Sequence, residues 1–168
     1  MPPRRWRARL GADRMASRRD QIKMSETELR GFLADQKIMS CATIGPRGRP
    51  HIVPLWYVPD GLVLSGWTYA ASQKAKNLER EPQATLEIDD GVQYHELRGA
   101  MLECDVEIER DPERVAGYGL ALFTRYGAGE PAPEVREMVD RQARKRVGLR
   151  FTPSRVVTWD HGKLGGAY

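Results

Sequence analysis

Apolar and polar positions along the chain alternate in short β-like runs, with four helical stretches set among them. Ser25-Glu26-Thr27-Glu28 has the form of a capping box, Ser25 capping and Glu28 reaching back from three residues on. Leu29, Phe32 and Leu33 then share one face, which predicts a helix over 26–35. Residues 38–44 and 50–58 read as strands joined by the turn Gly45-Pro46-Arg47-Gly48. Pro54, inside the second strand, requires an edge, a bulge or a place where a ladder bond is missing. A strand over 62–67, a helix over 72–80 ended by Pro82, and a strand over 84–89 follow. Asp90-Gly91 predicts a hairpin into the longest strand, 93–109, with Gly99 marking a bulge or bend. In its second half Leu102, Cys104, Val106 and Ile108 alternate with Glu103, Asp105, Glu107 and Glu109, so one face is buried and one is wet. Asp111-Pro112 opens a helix to about Tyr126, and another spans 134–144. Two strands, 146–151 and 155–159, are split by Thr152-Pro153. The order is not βαβαβ, so the pattern predicts an antiparallel barrel with inserted helices, mainly β within the α+β class.

Length and charge narrow this further. A chain of 168 residues is one domain, large enough to bury a core without disulfides or metal. Residues 1–23 hold eight Lys/Arg against two Asp, a net of +6, so the remaining chain carries −2 of the overall +4. The chain therefore divides into a basic N-terminal extension, 1–23, and a mildly acidic domain, 24–168. The extension is either a flexible arm or lies upstream of a natural start at Met15 or Met24. Such a distribution argues against a nucleic-acid-binding domain. No apolar run reaches the roughly 18 residues of a membrane span, and no apolar stretch follows the N-terminal arginines as in a signal peptide. Cys41 and Cys104 lack metal-site spacing and are expected as free buried thiols, in keeping with a cytoplasmic protein. No metal site is expected.

The candidate chemistry is sparse. No dinucleotide fingerprint, phosphate loop, zinc-protease motif or nucleophile elbow occurs. His51, His95 and His161 are far apart in sequence, the first two on expected strands, so reactivity must come from a cofactor. One stretch invites an anion. Ser72 caps a helix whose first turns carry Gln73, Lys74 and Asn77, so free N–H groups, the helix dipole and an ammonium converge. The same pattern also describes a solvated surface helix.

The segment S-Q-K-A-K-N-L-E-R-E-P-Q, 72–83, resembles the phosphate-binding segment of the split β-barrel flavin and deazaflavin oxidoreductases, relatives of pyridoxamine 5′-phosphate oxidase. It is most similar to the actinobacterial branch that uses coenzyme F420. Three further stretches agree in order and spacing: A-T-I-G-P-R-G-R-P-H-I-V-P-L-W-Y (42–57), D-G-V-Q-Y-H-E-L-R-G-A-M-L-E (90–103), and K-R-V-G-L-R-F with W-D-H-G-K-L-G-G (145–151 and 159–166). The resemblance implies a split antiparallel β-barrel and a homodimer sharing two cofactor sites. It implies an F420-dependent oxidoreductase that passes a hydride to a small conjugated substrate. Ser72, Gln73, Lys74 and Asn77 would hold the phosphate. Pro50, His51, Val53 and Trp56, with Trp67 and Thr68, would border the ring, and Trp159, Asp160 and His161 would form a wall from the second subunit. Arg141, Arg144, Lys145, Arg146 and Arg150 are either a solvated helix end or an anchor for the acidic tail of the deazaflavin. FMN shares the phosphate and the planar ring, and stays open as the cofactor. A binding protein without turnover stays open as the function.

Overall fold

The computed structural model describes residues 17–127 and 129–165. A four-residue helix, α1 (Arg18–Gln21), precedes α2 (Glu26–Asp35). The capping box of α2 is complete: Ser25 Oγ accepts from Glu28 N at 3.3 Å, and the Glu28 carboxylate accepts from Ser25 N at 2.6 Å. Strands β1 (Ile38–Ile44), β2 (Pro50–Trp56), β3 (Val58–Asp60) and β4 (Val63–Tyr69) lead to α3 (Gln73–Arg80). Then come β5 (Gln83–Asp90), β6 (Arg98–Glu109), α4 (Pro112–Tyr126), α5 (Pro133–Ala143) and β7 (Arg146–Asp160).

All seven strands form one antiparallel sheet in the order β2-β1-β5-β6-β7-β4-β3. Pro54 is tolerated because β2 is an edge strand, where a missing N–H breaks no inner ladder. The sheet curls until its β2 edge meets β4. A Cβ on Gly66 of β4 would lie 2.8 Å from the Trp56 carbonyl of β2, so glycine is what lets the two backbones touch. The fold is therefore the expected split antiparallel β-barrel with inserted helices.

The concave face carries the core. Met39, Cys41, Leu86, Ile88, Leu102 and Phe151 pack there against Phe32 and Leu33 of α2 and Leu78 of α3. The convex face is treated in two ways. Over β4 and the start of β7 it is covered by α4 and α5, whose Val115, Val139 and Ala143 pack around Trp67. Over β2, β1 and β5 it stays bare, leaving Ile38, Ile44, Ile52 and Trp56 exposed.

Several local expectations are corrected. The strand read as 50–58 breaks at Tyr57, which turns inward, is fully buried, and donates its hydroxyl to Leu33 O at 2.8 Å. Asp90-Gly91 does not make a tight hairpin. Gly91 takes φ +98, but the chain then runs through a 3-10 turn, Tyr94–Glu96, before β6 begins at Arg98. His95 consequently sits on that exposed turn and not on a strand. Gly99 marks no bulge. It pairs in register with Trp159, and a Cβ there would stand 2.4 Å from the indole, so the glycine makes room for a ring. The last two strands are one, because Pro153 sits beside a bulge where β7 slips against Glu103 and Cys104 of β6.

The end of the basic extension is built onto the domain. Ile22 O accepts from Asp160 N at 2.7 Å, and Lys163 Nζ donates to Lys23 O and to Glu28 at 2.7 Å each. Residues 1–16 lie outside the described residues. Cys41 and Cys104 are buried free thiols, as expected. Among the described residues no helix is long and apolar enough to cross a membrane, and no group of His, Cys, Asp and Glu could hold a metal ion.

Candidate functional site

The site begins where β4 hands the chain to α3. Ser72 N donates to Tyr69 O at 3.0 Å, which closes a turn, and Ser72 Oγ then accepts from Ala75 N at 3.2 Å. The cap leaves the N–H groups of Gln73 and Lys74 without a partner among the described residues. Helical spacing sends Lys74, Ala75, Asn77 and Leu78 into the protein and Lys76, Glu79 and Arg80 to water. Asn77 is fully buried. Its amide donates to Thr43 Oγ1 at 3.0 Å and accepts from Gln73 Nε2 at 2.8 Å.

Lys74 is only 5% exposed, and its Nζ donates to Thr68 Oγ1 at 2.9 Å. The Thr68 hydroxyl lies 3.3 Å from that of Ser72, so the ammonium stands directly behind the cap. No carboxylate among the described residues pairs with it. Burial lowers its pKa below the ordinary lysine range, Cys41 acts in the opposite sense, and Arg146 lowers it further. Cys41 cannot serve as counterion near neutral pH, because burial pushes its thiol up to about 11. The result is a nearly buried cation held, among the described residues, by the Thr68 hydroxyl alone.

Strand β2 supplies the neighbouring wall. His51, Val53 and Leu55 point inward and are half-buried, while Pro50, Ile52, Pro54 and Trp56 point outward. His51 pairs with Thr43, so its ring lies beside the Asn77–Thr43 bond, and its buried Nδ1 has no partner among the described residues. A cavity of about 310 Å³ lined by Arg47, Arg49, Pro50, His51 and Gln73 joins this wall to the α3 cradle. Val53 continues the same inward row opposite Cys41.

The remaining expected residues lie elsewhere. Trp67 and Thr68 are consecutive on β4 and face opposite sides of the sheet, so Trp67 packs under α4 and away from Lys74. Trp56 also faces outward, stacked on Tyr126 with centroids 4.4 Å apart and planes 8° from parallel. The two indoles meet each other across a separate cavity, not at the cradle. Trp159 lies on the bare convex face against Gly99. Asp160 accepts from Gly162 N at 3.0 Å, and the His161 ring makes an edge contact with Tyr94. Within one chain these three do not join the cradle.

Thr43 is the addition that sequence reading missed, and Arg146 is the one residue of the expected basic run that the structure sets apart. Thr43 reads as an ordinary strand threonine, and its inward phase in 38–44 is the one signal that could have marked it. Arg146 was grouped with a basic run that the structure divides. Arg141 pairs loosely with Glu137 at 3.8 Å, Arg144 and Lys145 are exposed, and Arg150 lies on β7. Arg146 alone turns under the aromatics of β4.

Comparison with known proteins agrees with this architecture. The family model described as pyridoxamine 5′-phosphate oxidase matches residues 25–160. The conserved hypothetical protein Rv2991 of Mycobacterium tuberculosis is 40% identical, with a TM-score of 0.81 over 89% of this chain and 93% of that one. An F420 reductase is 24% identical, with a TM-score of 0.59 over 76% of this chain and 94% of its own. HutZ, the heme storage protein of Vibrio cholerae, is 20% identical, with a TM-score of 0.62 over 79% and 94%. These last two likenesses show the fold alone. No curated protein matches the chain. With residues 25–160 accounted for by the family model and the same fold in a relative of 40% identity, the chain belongs to the pyridoxamine 5′-phosphate oxidase family.

Proposed function

We propose that the chain is an oxidoreductase that binds coenzyme F420 and serves hydride transfer to a small conjugated acceptor. The observation that carries this reading is Lys74. An ammonium 5% exposed without a carboxylate costs several kcal/mol, roughly, unless an anion joins it. Such a perturbed group next to Gln73, which lines a cavity, marks a functional site. A phosphate at the start of α3 would meet the Gln73 and Lys74 N–H groups and the Ser72 hydroxyl, with the ammonium behind. Asn77 and Thr43 hold Gln73 in place, and His51 presents an unpartnered ring nitrogen to a planar group lying along β2. The residues present thus fit a phosphate-bearing planar cofactor. Bound F420 would supply the hydride donor, which this chain's own side chains lack. The F420 reductase among the structures of the same fold supports the choice of deazaflavin.

The purified protein should be colourless after bacterial expression, should quench the fluorescence of added F420, and should speed oxidation of reduced F420 by conjugated acceptors. A flavin spectrum in the purified protein would replace F420 by FMN. Quenching with no acceptor ever turned over would make the chain a binding protein.

The bare convex face supports a homodimer as part of this proposal. Ile38, Ile44, Ile52 and Trp56 are 56%, 43%, 62% and 52% exposed on two adjacent strands, an apolar patch that a monomer would leave in water. A second copy seated there would bring its Trp159, Asp160 and His161 toward the first copy's β2. Sedimentation should show a dimer for the native chain and a folded monomer for Ile52→Glu. A native monomer at micromolar concentration would remove the proposal.

A further inference from the structure

The seam where the curled sheet closes holds a cavity of about 390 Å³ that the cofactor reading does not use. Leu55 and Trp56 of β2 form one side, Trp67 of β4 and Arg146 of β7 the other, and Leu122 and Phe123 of α4 the floor. Its walls are fixed. Trp56 is held by its stack on Tyr126. Trp67 is seated on Gly119, where a Cβ would come within 2.6 Å of the indole.

Arg146 gives the cavity its polarity. It pairs with Tyr69 across the ladder, and Tyr69 and Trp67 lie two residues apart on the same face of β4. The guanidinium therefore stands 4.4 Å from the Trp67 ring centre and 4.0 Å from that of Tyr69. Contact with ring faces holds the cation without using its N–H donors. Of the five donors only Nε has a partner among the described residues, Gln142 Oε1, at a long 3.4 Å. No carboxylate among the described residues pairs with Arg146. An apolar slot between two indoles, ending in a pre-oriented and unneutralised fork of donors, matches one kind of ligand.

We propose that the seam between Trp56 and Trp67 binds a planar apolar carboxylate, with its rings between the indoles and its carboxylate on Arg146. The volume falls in the range of about 300–1,000 Å³ typical of small-molecule sites and suits one bicyclic acid. Arginine meets a carboxylate with two parallel bonds, a match that a neutral amide lacks. The site lies on the opposite face of β4 from Thr68 and Lys74, so the assignment does not rest on the cofactor reading.

The test is calorimetric titration of the full chain with 2-naphthoate and with its neutral isostere 2-naphthamide. Naphthoate should bind at least about tenfold more tightly, since a bond to a charged group carries the difference. Added salt should weaken naphthoate and leave naphthamide unchanged, a readout that needs no variant. Arg146→Gln should erase the preference, and Arg146→Lys should restore part of it. Lys74→Met tells the two cation sites apart. Unchanged naphthoate affinity in that variant supports the seam, while a parallel loss would show that naphthoate occupies the phosphate cradle and overturn the proposal. Equal affinity for acid and amide, or a preference that survives Arg146→Gln, would overturn it as well.

Discussion

Lys74→Met is expected to do two opposite things. It should raise the stability of the cofactor-free chain by about 1–2 kcal/mol, or roughly 2–8 °C in melting temperature. It should also weaken F420 binding by about 10- to 150-fold. Methionine fills much the same volume, while Thr68 keeps its contact with the Ser72 hydroxyl. The gain has a definite pH signature. The folded pKa of Lys74 lies below its ordinary value of 10.5, so between the two values the unfolded chain binds the extra proton. The penalty in the native chain is therefore complete below the folded pKa and is released as pH rises through it toward 10.5. The stability gap between variant and native chain should close over that window. Lys76→Met is the control, since it lies about 200° around the helix and faces water. It should change neither property. A Lys74→Met chain that melts lower, with unchanged affinity, would make Lys74 a structural lysine and remove the argument for a phosphate cradle.

What the sequence made legible follows from which forces are local. Caps are local, so Ser25 with Glu28, Ser72 with Ala75 and Asp111 with Arg114 appear where the residue types place them. Two-residue alternation is also local, and it marks the buried side of β6 correctly. The same rule could have separated Trp67 from Thr68, because neighbours on a strand cannot serve one face. The resemblance led both to be placed at one site. Register is where local reading ended. Asp90-Gly91 carries hairpin chemistry, yet the turn is taken over by Gln93 N donating to the Glu96 carboxylate, which starts a 3-10 turn instead. Pro153 reads as a strand break only until its place beside a bulge is known. Arg146 owes its position to a pairing with Tyr69 across most of the domain, and no spacing rule reaches that far.

Arg125→Met should cost the chain about 2–4 kcal/mol. In melting temperature that is roughly 4–16 °C at this size. Helix α2 ends without a basic residue in its last turn, so its terminal carbonyls have no local charge to meet them. Arg125, near the end of α4, supplies it from elsewhere in the fold. Its Nη2 donates to the carbonyls of Leu33, Ala34 and Gln36 at 3.2, 2.9 and 2.7 Å. The positive charge also sits at the negative end of the α2 dipole. The guanidinium lies 5.2 Å from the Tyr57 ring centre and 5.7 Å from that of Tyr126, which fixes both rings. Its Nε is buried without a partner among the described residues, which offsets part of the gain. Arg125→Lys should recover only part of the loss, because an ammonium can reach the carbonyls but lacks the planar guanidinium that lies against the Tyr57 and Tyr126 rings. The effect should reach the seam. Tyr57 is where the chain leaves β2 for β3, and the Tyr126 hydroxyl accepts from Tyr57 N at 2.9 Å at that bend. The same Tyr126 ring is the one on which Trp56 stacks. Loosening Arg125 should therefore free Trp56, and naphthoate affinity should fall along with the melting temperature. A loss below about 1 kcal/mol, with Trp56 as well ordered as before, would mean that water satisfies the α2 carbonyls and that the bend at Tyr57 stands without the clamp.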